Sequence, residues 1–163
     1  MAFDAFLDIK GVPGESQQKG FEKKIDLYSF SIGASNPVTI GQGTGAGGGK
    51  VSISSFNVMK RTDLASGPLF QACCSGTHYP ECTVTLRKAG GTAPLNYLVY
   101  KMKEVYVDSI QWSGSTGGDD APTESVSLSF ATFSVTYTEQ QPTGAAGAVT
   151  GGGWDVRKGI AVK

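Results

Sequence analysis

Residues 41–50 read GQGTGAGGGK, with six glycines in nine residues before a lysine. A glycine-rich turn ending in Gly-Lys can cradle a phosphate, because unhindered backbone N–H groups converge on the anion and the ammonium reaches it. That chemistry needs the spacing G-x-x-x-x-G-K-[ST] and a following helix whose N-terminus faces the phosphate. Counting back from Gly49-Lys50 puts Thr44 where the first glycine belongs, and Val51 stands where the hydroxyl belongs. Gly43, Gly45 and Gly48 fit the dinucleotide pattern G-x-G-x-x-G, a match that so glycine-rich a run can hardly avoid. The segment that follows, KVSISSFNV, alternates as a strand. The run therefore reads as an arm with backbone freedom, and Lys50 as the first residue of the returning strand.

Cys73-Cys74-x3-His78-x3-Cys82 is the second cluster, and cysteine and histidine are metal ligands. It lacks a C-x2-C knuckle, adjacent cysteines at a helix end diverge, and His78 is the only histidine in the chain. The same His78 would have to activate any Ser or Cys nucleophile, and nothing nearby in sequence orients it. It reads as a histidine satisfying backbone groups in a turn before Pro80, and the cysteines as reduced, at least one of them a small buried hydrophobe. Asp119-Asp120 lie in a Gly/Ser/Pro loop, and Glu104 and Asp108 fall within strand sequence, so neither pair is marked as a general acid and base. Tyr97, Tyr100, Tyr106 and Trp112 offer a stacking platform for sugars or bases, against the plainer reading of cross-strand and core aromatics. The chain is expected to have no catalytic residue, metal or cofactor.

Composition agrees. Apolar residues make up 39% of the 163 and charged residues 17%, which suits a folded chain of one domain, residues 1–163. Fourteen basic residues balance fourteen acidic ones, giving no electrostatic footprint for nucleic acid or an anionic membrane and little self-repulsion against self-association. No apolar run reaches the roughly 20 residues that span a bilayer. The start, MAFDAFLDIKGVPGE, has no basic n-region, and Asp4 and Asp8 break its apolar stretch, so no Sec signal is expected.

Strand patterns dominate the rest. Phe3, Ala5, Leu7 and Ile9 share one face of 3–10, and Tyr28, Phe30 and Ile32 oppose Ser29 and Ser31 in 24–32. The apolar phase switches between Val51/Ile53 and Phe56/Val58, which predicts a bulge or bend. Residues 82–88, 95–112 (two strands or one strongly bent one), 125–137 and Trp154–Arg157 complete seven or eight runs. Alternation against Ser and Thr predicts a mainly β fold, a small antiparallel barrel or two-sheet sandwich. One short helix is predicted over about 67–75, capped by Ser66, with Pro68 in its first turn, an apolar stripe of Leu69, Phe70 and Cys73, and Gly76 as its stop. Long loops are expected at 33–49, 113–124 and 138–153.

Several of these stretches together resemble one family. MAFDAFLDIKGVPGES (1–16) is similar to the N-terminal strand and turn of the Hcp family, the haemolysin-coregulated proteins of bacterial type VI secretion. SGTHYPECTVTLRKAG (75–90) resembles that family's G-x-H-Y-P turn, strand and R-K-A-G, YLVYKMKEVYVDSI (97–110) its next strand pair, and GWDVRKG (153–159) its C-terminal segment. Cys74 and Cys82 match no motif of the family, and the 33–49 sequence is free-form. The resemblance implies a β-barrel with one helix alongside, no enzyme activity and no cofactor. It implies homohexameric rings stacked into a hollow tube inside a contractile sheath, tipped by a valine-glycine repeat spike protein, with small effector proteins carried in the lumen. It implies synthesis in the cytoplasm of a Gram-negative bacterium and export through the type VI machinery.

On that basis Gly43, Thr44 and Gly45 of the arm, Lys88, Gly90 and Gly91 of the next turn, and Arg157 and Lys158 are the expected ring-stacking or inter-subunit residues. Ser29 and Ser31 are the expected lumen lining. The competing reading is a monomeric β-barrel module that binds a carbohydrate or another small ligand.

Overall fold

The computed structural model describes residues 3–39, 47–88, 94–118 and 120–162. In chain order the elements are β1 (Phe3–Ile9), β2 (Ile25–Ser31), β3 (Ala34–Ser35), β4 (Val38–Thr39), β5 (Gly47–Gly48), β6 (Ser52–Ile53), β7 (Phe56–Arg61), α1 (Ser66–Ser75), β8 (His78–Lys88), β9 (Leu95–Ser113), β10 (Thr123–Gln140), β11 (Ala146–Asp155) and β12 (Ile160–Ala161). The order β10-β7-β2-β1-β8-β9 returns to β10, because β10 pairs with β7 along one edge and β9 along the other. Six antiparallel strands thus close into a barrel, one of the two architectures that the alternation predicts. The remaining length of β10 extends past β7 and pairs with β11, which carries β12 at its end.

Alternation puts one face of each strand inside. Ala5, Leu7 and Ile9 of β1, Ile25 and Leu27 of β2, Phe56 and Val58 of β7, Cys82, Val84 and Leu86 of β8, Met102, Val105 and Val107 of β9, and Val126 and Leu128 of β10 form one buried cluster. Two sequence assignments move. Phe3 is 46% exposed, and Phe6, on the other phase, is buried by stacking on Phe21 at 4.2 Å. The segment between β1 and β2 folds over that outer face and also buries the Arg87 guanidinium, which lies 5.4 Å from both rings. Tyr28 is 64% exposed because the β2–β7 register shifts between Leu27 and Ser29, so the buried phase passes from Leu27 to Phe30. A bulge has that effect, since one extra residue flips every later side chain.

The two ends of the barrel are filled differently. At one end α1 contributes Ala65, Leu69 and Ala72 to the core. Its stop at Gly76, with φ +70° and an N–H to the Ala72 carbonyl, is as predicted. Its start is not: Ser66 is the first helical residue and accepts the Asp63 N–H at Oγ, while Asp63 Oδ1 accepts the Ala65 N–H. The buried stripe is Ser66, Leu69 and Ala72, and Phe70 points outward. At the other end Phe30, Phe56, Tyr100 and Phe133 pack ring on ring, with centroids 5.5–6.4 Å apart. Burial pushes the Tyr100 hydroxyl pKa above its usual value, with Tyr97 adding to the rise.

Beneath α1 the barrel holds two fully buried charges, Lys60 and Glu124. They are cross-strand partners on β7 and β10, and Glu124 is also opposite Trp112 on β9. Glu124 accepts from the Lys60 ammonium on one oxygen and from the Trp112 indole N–H on the other. Lys60 also donates to the Arg61 carbonyl at 3.0 Å and pairs with Asp63 at 2.8 Å, where Asp63 is itself nearly buried.

The long loops prove more ordered than their composition suggests. The described residues of the arm expected at 33–49, with those just after it, form two short antiparallel ladders, β3 with β6 and β4 with β5. The Gly49 N–H donates to the Pro37 carbonyl, and a Cβ at Gly49 would stand 2.4 Å from that same oxygen. The 138–153 stretch is a second hairpin, turning at Gly144 (φ +88°) between β10 and β11. Glycine and alanine hide the alternation there, and pairing with β10 supplies the order. The break in phase around Ser54–Ser55 is real, separating β6 from β7. Residues 95–113 form one long strand, bent by an extra residue at Asp108 and by Glu104 at φ +50°.

Removing one member of a buried ion pair leaves the other unpaired, which costs about 3–5 kcal/mol. Glu124→Ala should lower the unfolding free energy by that order in a urea titration. The Lys60→Met/Glu124→Leu double variant should lose less than the sum of the two single changes.

Candidate functional site

The residues singled out for chemistry do not converge. His78 lies in β8 rather than a turn, exposed and 5.5 Å ring to ring from Tyr106 on β9. Four residues of extended chain, roughly 13 Å, separate it from Cys82. Cys82 is in the core, where burial, with Asp8 and Glu81 adding to it, pushes its thiol pKa to about 12. Cys73 donates to the Asp108 carbonyl at 3.7 Å, and Cys74 is exposed. No group of three His, Cys, Asp or Glu side chains suited to a metal comes together among the described residues.

The carboxylates have structural partners. Glu104 pairs with Arg157 at 2.8 Å, and Asp108 accepts from the Ser55 and Ser129 hydroxyls. Asp119 lies outside the described residues, while Asp120 is exposed. The β9 aromatics are strung along roughly 50 Å of strand and build no common platform. Tyr97 lies under the Lys88 ammonium at 4.9 Å, Tyr100 joins the barrel-end cluster, Tyr106 meets His78, and Trp112 packs on Phe70.

What the fold does present is surface. The end of β2, the end of β8, the start of β9 and the β10–β11 turn lie on the side of the aromatic cluster, so topology gathers them at one end of the barrel. Of the expected contact residues, Gly43, Thr44, Gly45, Gly90 and Gly91 lie outside the described residues. Lys88 closes β8 at that end. Arg157 and Lys158 are exposed in the turn after β11, which Asp155 holds by accepting the Lys158 N–H at 2.8 Å. Ser29 and Ser31 are exposed on β2.

A groove between the arm and β11 is walled by Asn36, Gly49 and Val51 on one side and by Phe133, Gly152 and Trp154 on the other. Sequence reading passed over this groove because its walls come from segments about a hundred residues apart in the chain. It also missed the buried Lys60–Glu124 pair, although both charges sit on the apolar phase of their strands. Among the described residues no helix is long and apolar enough to cross a membrane.

The class that the fold defines is a closed antiparallel β-barrel with one helix at its end and an arm between β2 and β7. The family model described as "Type VI secretion system effector, Hcp" matches residues 6–137. The chain belongs to the Hcp family, whose members are secreted tube proteins of the type VI system and not enzymes. Protein hcp1 of Pseudomonas aeruginosa is 41% identical over 98% of this chain and 99% of its own length. A solved type six secretion system protein superposes with a TM-score of 0.93 at 31% identity, covering 99% of this chain and all of the other. Hcp1 of Salmonella typhimurium superposes at 0.83 with 33% identity, again over 99% of this chain and all of its own.

Thiol reactivity checks the core. At pH 8 a maleimide should label Cys74 in the folded protein and leave Cys82 untouched until urea is added, as read by mass spectrometry. A thiol that holds its proton to about 12 when folded, against 9.0 for an unperturbed one, binds more protons in the native state between those values. The Cys82 contribution should therefore make stability fall as pH rises through that window.

Proposed function

We propose that this chain is the subunit of a hollow tube, with six copies closing a ring and rings stacking end to end. The observation that carries the reading is the 41% identity to Protein hcp1 over nearly the full length of both chains, joined to a closed barrel that carries an arm and a hairpin at one end. A ring needs a heterologous contact that closes after a fixed rotation. Net charge of zero sets no long-range repulsion against it.

The arm, with Gly43, Thr44 and Gly45, reaches toward the next ring. Lys88 with Gly90 and Gly91, and Arg157 with Lys158, lie at ring faces or subunit boundaries. Ser29 and Ser31 line the lumen, where short hydroxyl side chains give a wet and weakly adhesive wall. Small effector proteins are carried there, a spike protein caps the tube, and a contractile sheath surrounds and expels it from the bacterial cytoplasm.

Light scattering of the purified chain should give six times 17.0 kDa, and negative-stain images should show rings. A monomer that persists at high protein concentration overturns the reading. Shortening residues 41–49 should leave single rings intact and impair their stacking; unchanged stacking removes the arm from the contact.

A further inference from the structure

At the end of the barrel away from the aromatic cluster, β1 stops at Ile9 and the chain turns through Lys10 and Gly11. The Val12 N–H donates to the Ile9 carbonyl at 3.0 Å, and Gly11 takes φ +87°. An open cleft lies between this turn, the segment that returns to β2 and the start of β8. Lys10, Lys23 and Lys24 line it, together with Asp8, Glu81 and Thr83. Both carboxylates are engaged. Asp8 pairs with Lys24 at 3.0 Å, and Glu81 pairs with Lys101 of β9 at 3.6 Å. Lys10 and Lys23 have no ion-pair partner among the described residues. The cleft therefore presents two ammonium groups that its own carboxylates do not neutralise.

Lys23 stands there against the preference of its backbone. Its φ is +63°, a left-handed conformation that crowds a Cβ and that glycine adopts freely. Backbone bonds on both sides hold it: the Lys23 N–H donates to the Ser16 carbonyl at 2.8 Å, and its own carbonyl accepts the Gly14 N–H at 2.7 Å. The Lys24 carbonyl accepts the Ser16 N–H at 3.0 Å, and a Cβ at Gly14 would stand 2.4 Å from that same oxygen. Glycine thus occupies position 14, where close approach requires it. Position 23, which suits glycine, carries a lysine instead. Strain that interlocked backbone imposes in this way collects where the side chain is used.

We propose that this cleft binds a small oxyanion of the diphosphate class between Lys10 and Lys23. Two ammonium groups on separate segments are matched by a ligand with anionic oxygens at both of its ends, and charge-assisted hydrogen bonds of that kind are the strong ones. Thr83 offers a neutral hydroxyl at the wall. The Asp8–Lys24 and Glu81–Lys101 pairs frame the cleft without adding net charge to it. All of these residues belong to one subunit, so the site does not depend on the tube reading.

Titration of inorganic pyrophosphate into the whole chain at physiological ionic strength, followed by calorimetry, tests the site. Binding should saturate at one pyrophosphate per subunit. Lys10→Gln and Lys23→Gly should each weaken it on the order of tenfold or more. Lys19→Gln, which removes a lysine outside the cleft, should bind as the parent does. Without ligand, Lys23→Gly should raise the thermal midpoint by a few degrees, because glycine relieves the left-handed position. Lost affinity in a more stable protein cannot come from unfolding. A parent chain without saturable binding, or Lys10→Gln and Lys23→Gly proteins that bind like the parent, overturn the proposal and leave the tube reading standing. An equal loss in Lys19→Gln also overturns it, since overall charge then accounts for the effect. A Lys23→Gly protein less stable than the parent, or one that fails to fold, overturns the role given to Lys23, and Lys10→Gln then decides for the cleft. A monomer that binds pyrophosphate supports the proposal and overturns the tube reading alone.

Discussion

The Lys60–Glu124 pair is the constraint from which most of the barrel follows. Each charge gives up its water on burial, at several kcal/mol per ion, and recovers it only where geometry and further hydrogen bonds are complete. Here they are. The ammonium meets Glu124, Asp63, the Ser66 hydroxyl and the Arg61 carbonyl, and the second oxygen of Glu124 takes the Trp112 N–H. Because Glu124 stands opposite Lys60 on one side and Trp112 on the other, this set of contacts exists in one register of β7, β10 and β9 only. A slip by one residue would point both charges the wrong way and unpair them together. The pair also holds Asp63, whose carboxylate organises the turn before α1, so register and the placement of the end-filling helix are fixed by one network.

Much of the architecture was legible from period two. Ile25 and Leu27, Val84 and Leu86, Val126 and Leu128 alternate cleanly, and each lands in the core. Legibility failed where side chains carry no signal or a misleading one. Strand reading stopped at Val58 and restarted at Ser125 because Lys60 and Glu124 look like strand ends, yet they continue the buried phases Phe56-Val58-Lys60 and Glu124-Val126-Leu128. Partners decide whether a charge can be inside, and partners lie 64 residues apart in the chain. The 146–153 stretch failed for the opposite reason, since alanine and glycine leave no alternation to read. Tyr28 failed because a bulge is a property of two strands.

The same extended geometry accounts for the absence of converging chemistry in the Cys/His and tyrosine sets. Residues close in sequence on a strand are spread at roughly 3.3 Å per step and alternate faces, so a cluster needs contributions from neighbouring strands at matched heights. His78 meets Tyr106 in that way, and Trp112 meets Phe70 through α1. Each is a pair that finishes a packing problem. The polar convergence around Lys60 and Glu124 is buried, and its members take one another as partners.

A fold that pairs its two fully buried charges and closes its barrel leaves assembly to whatever it keeps open. Closure removes the edges that make β proteins adhere indiscriminately. Retaining a short edge then becomes a means of selection, provided it is bounded. The β11 edge is bounded by charge: Glu139 lies before the turn that begins the hairpin, and Asp155, Arg157 and Lys158 follow the strand. With no net charge to keep copies apart, the open part of the β11 edge is where contact with another strand is least opposed.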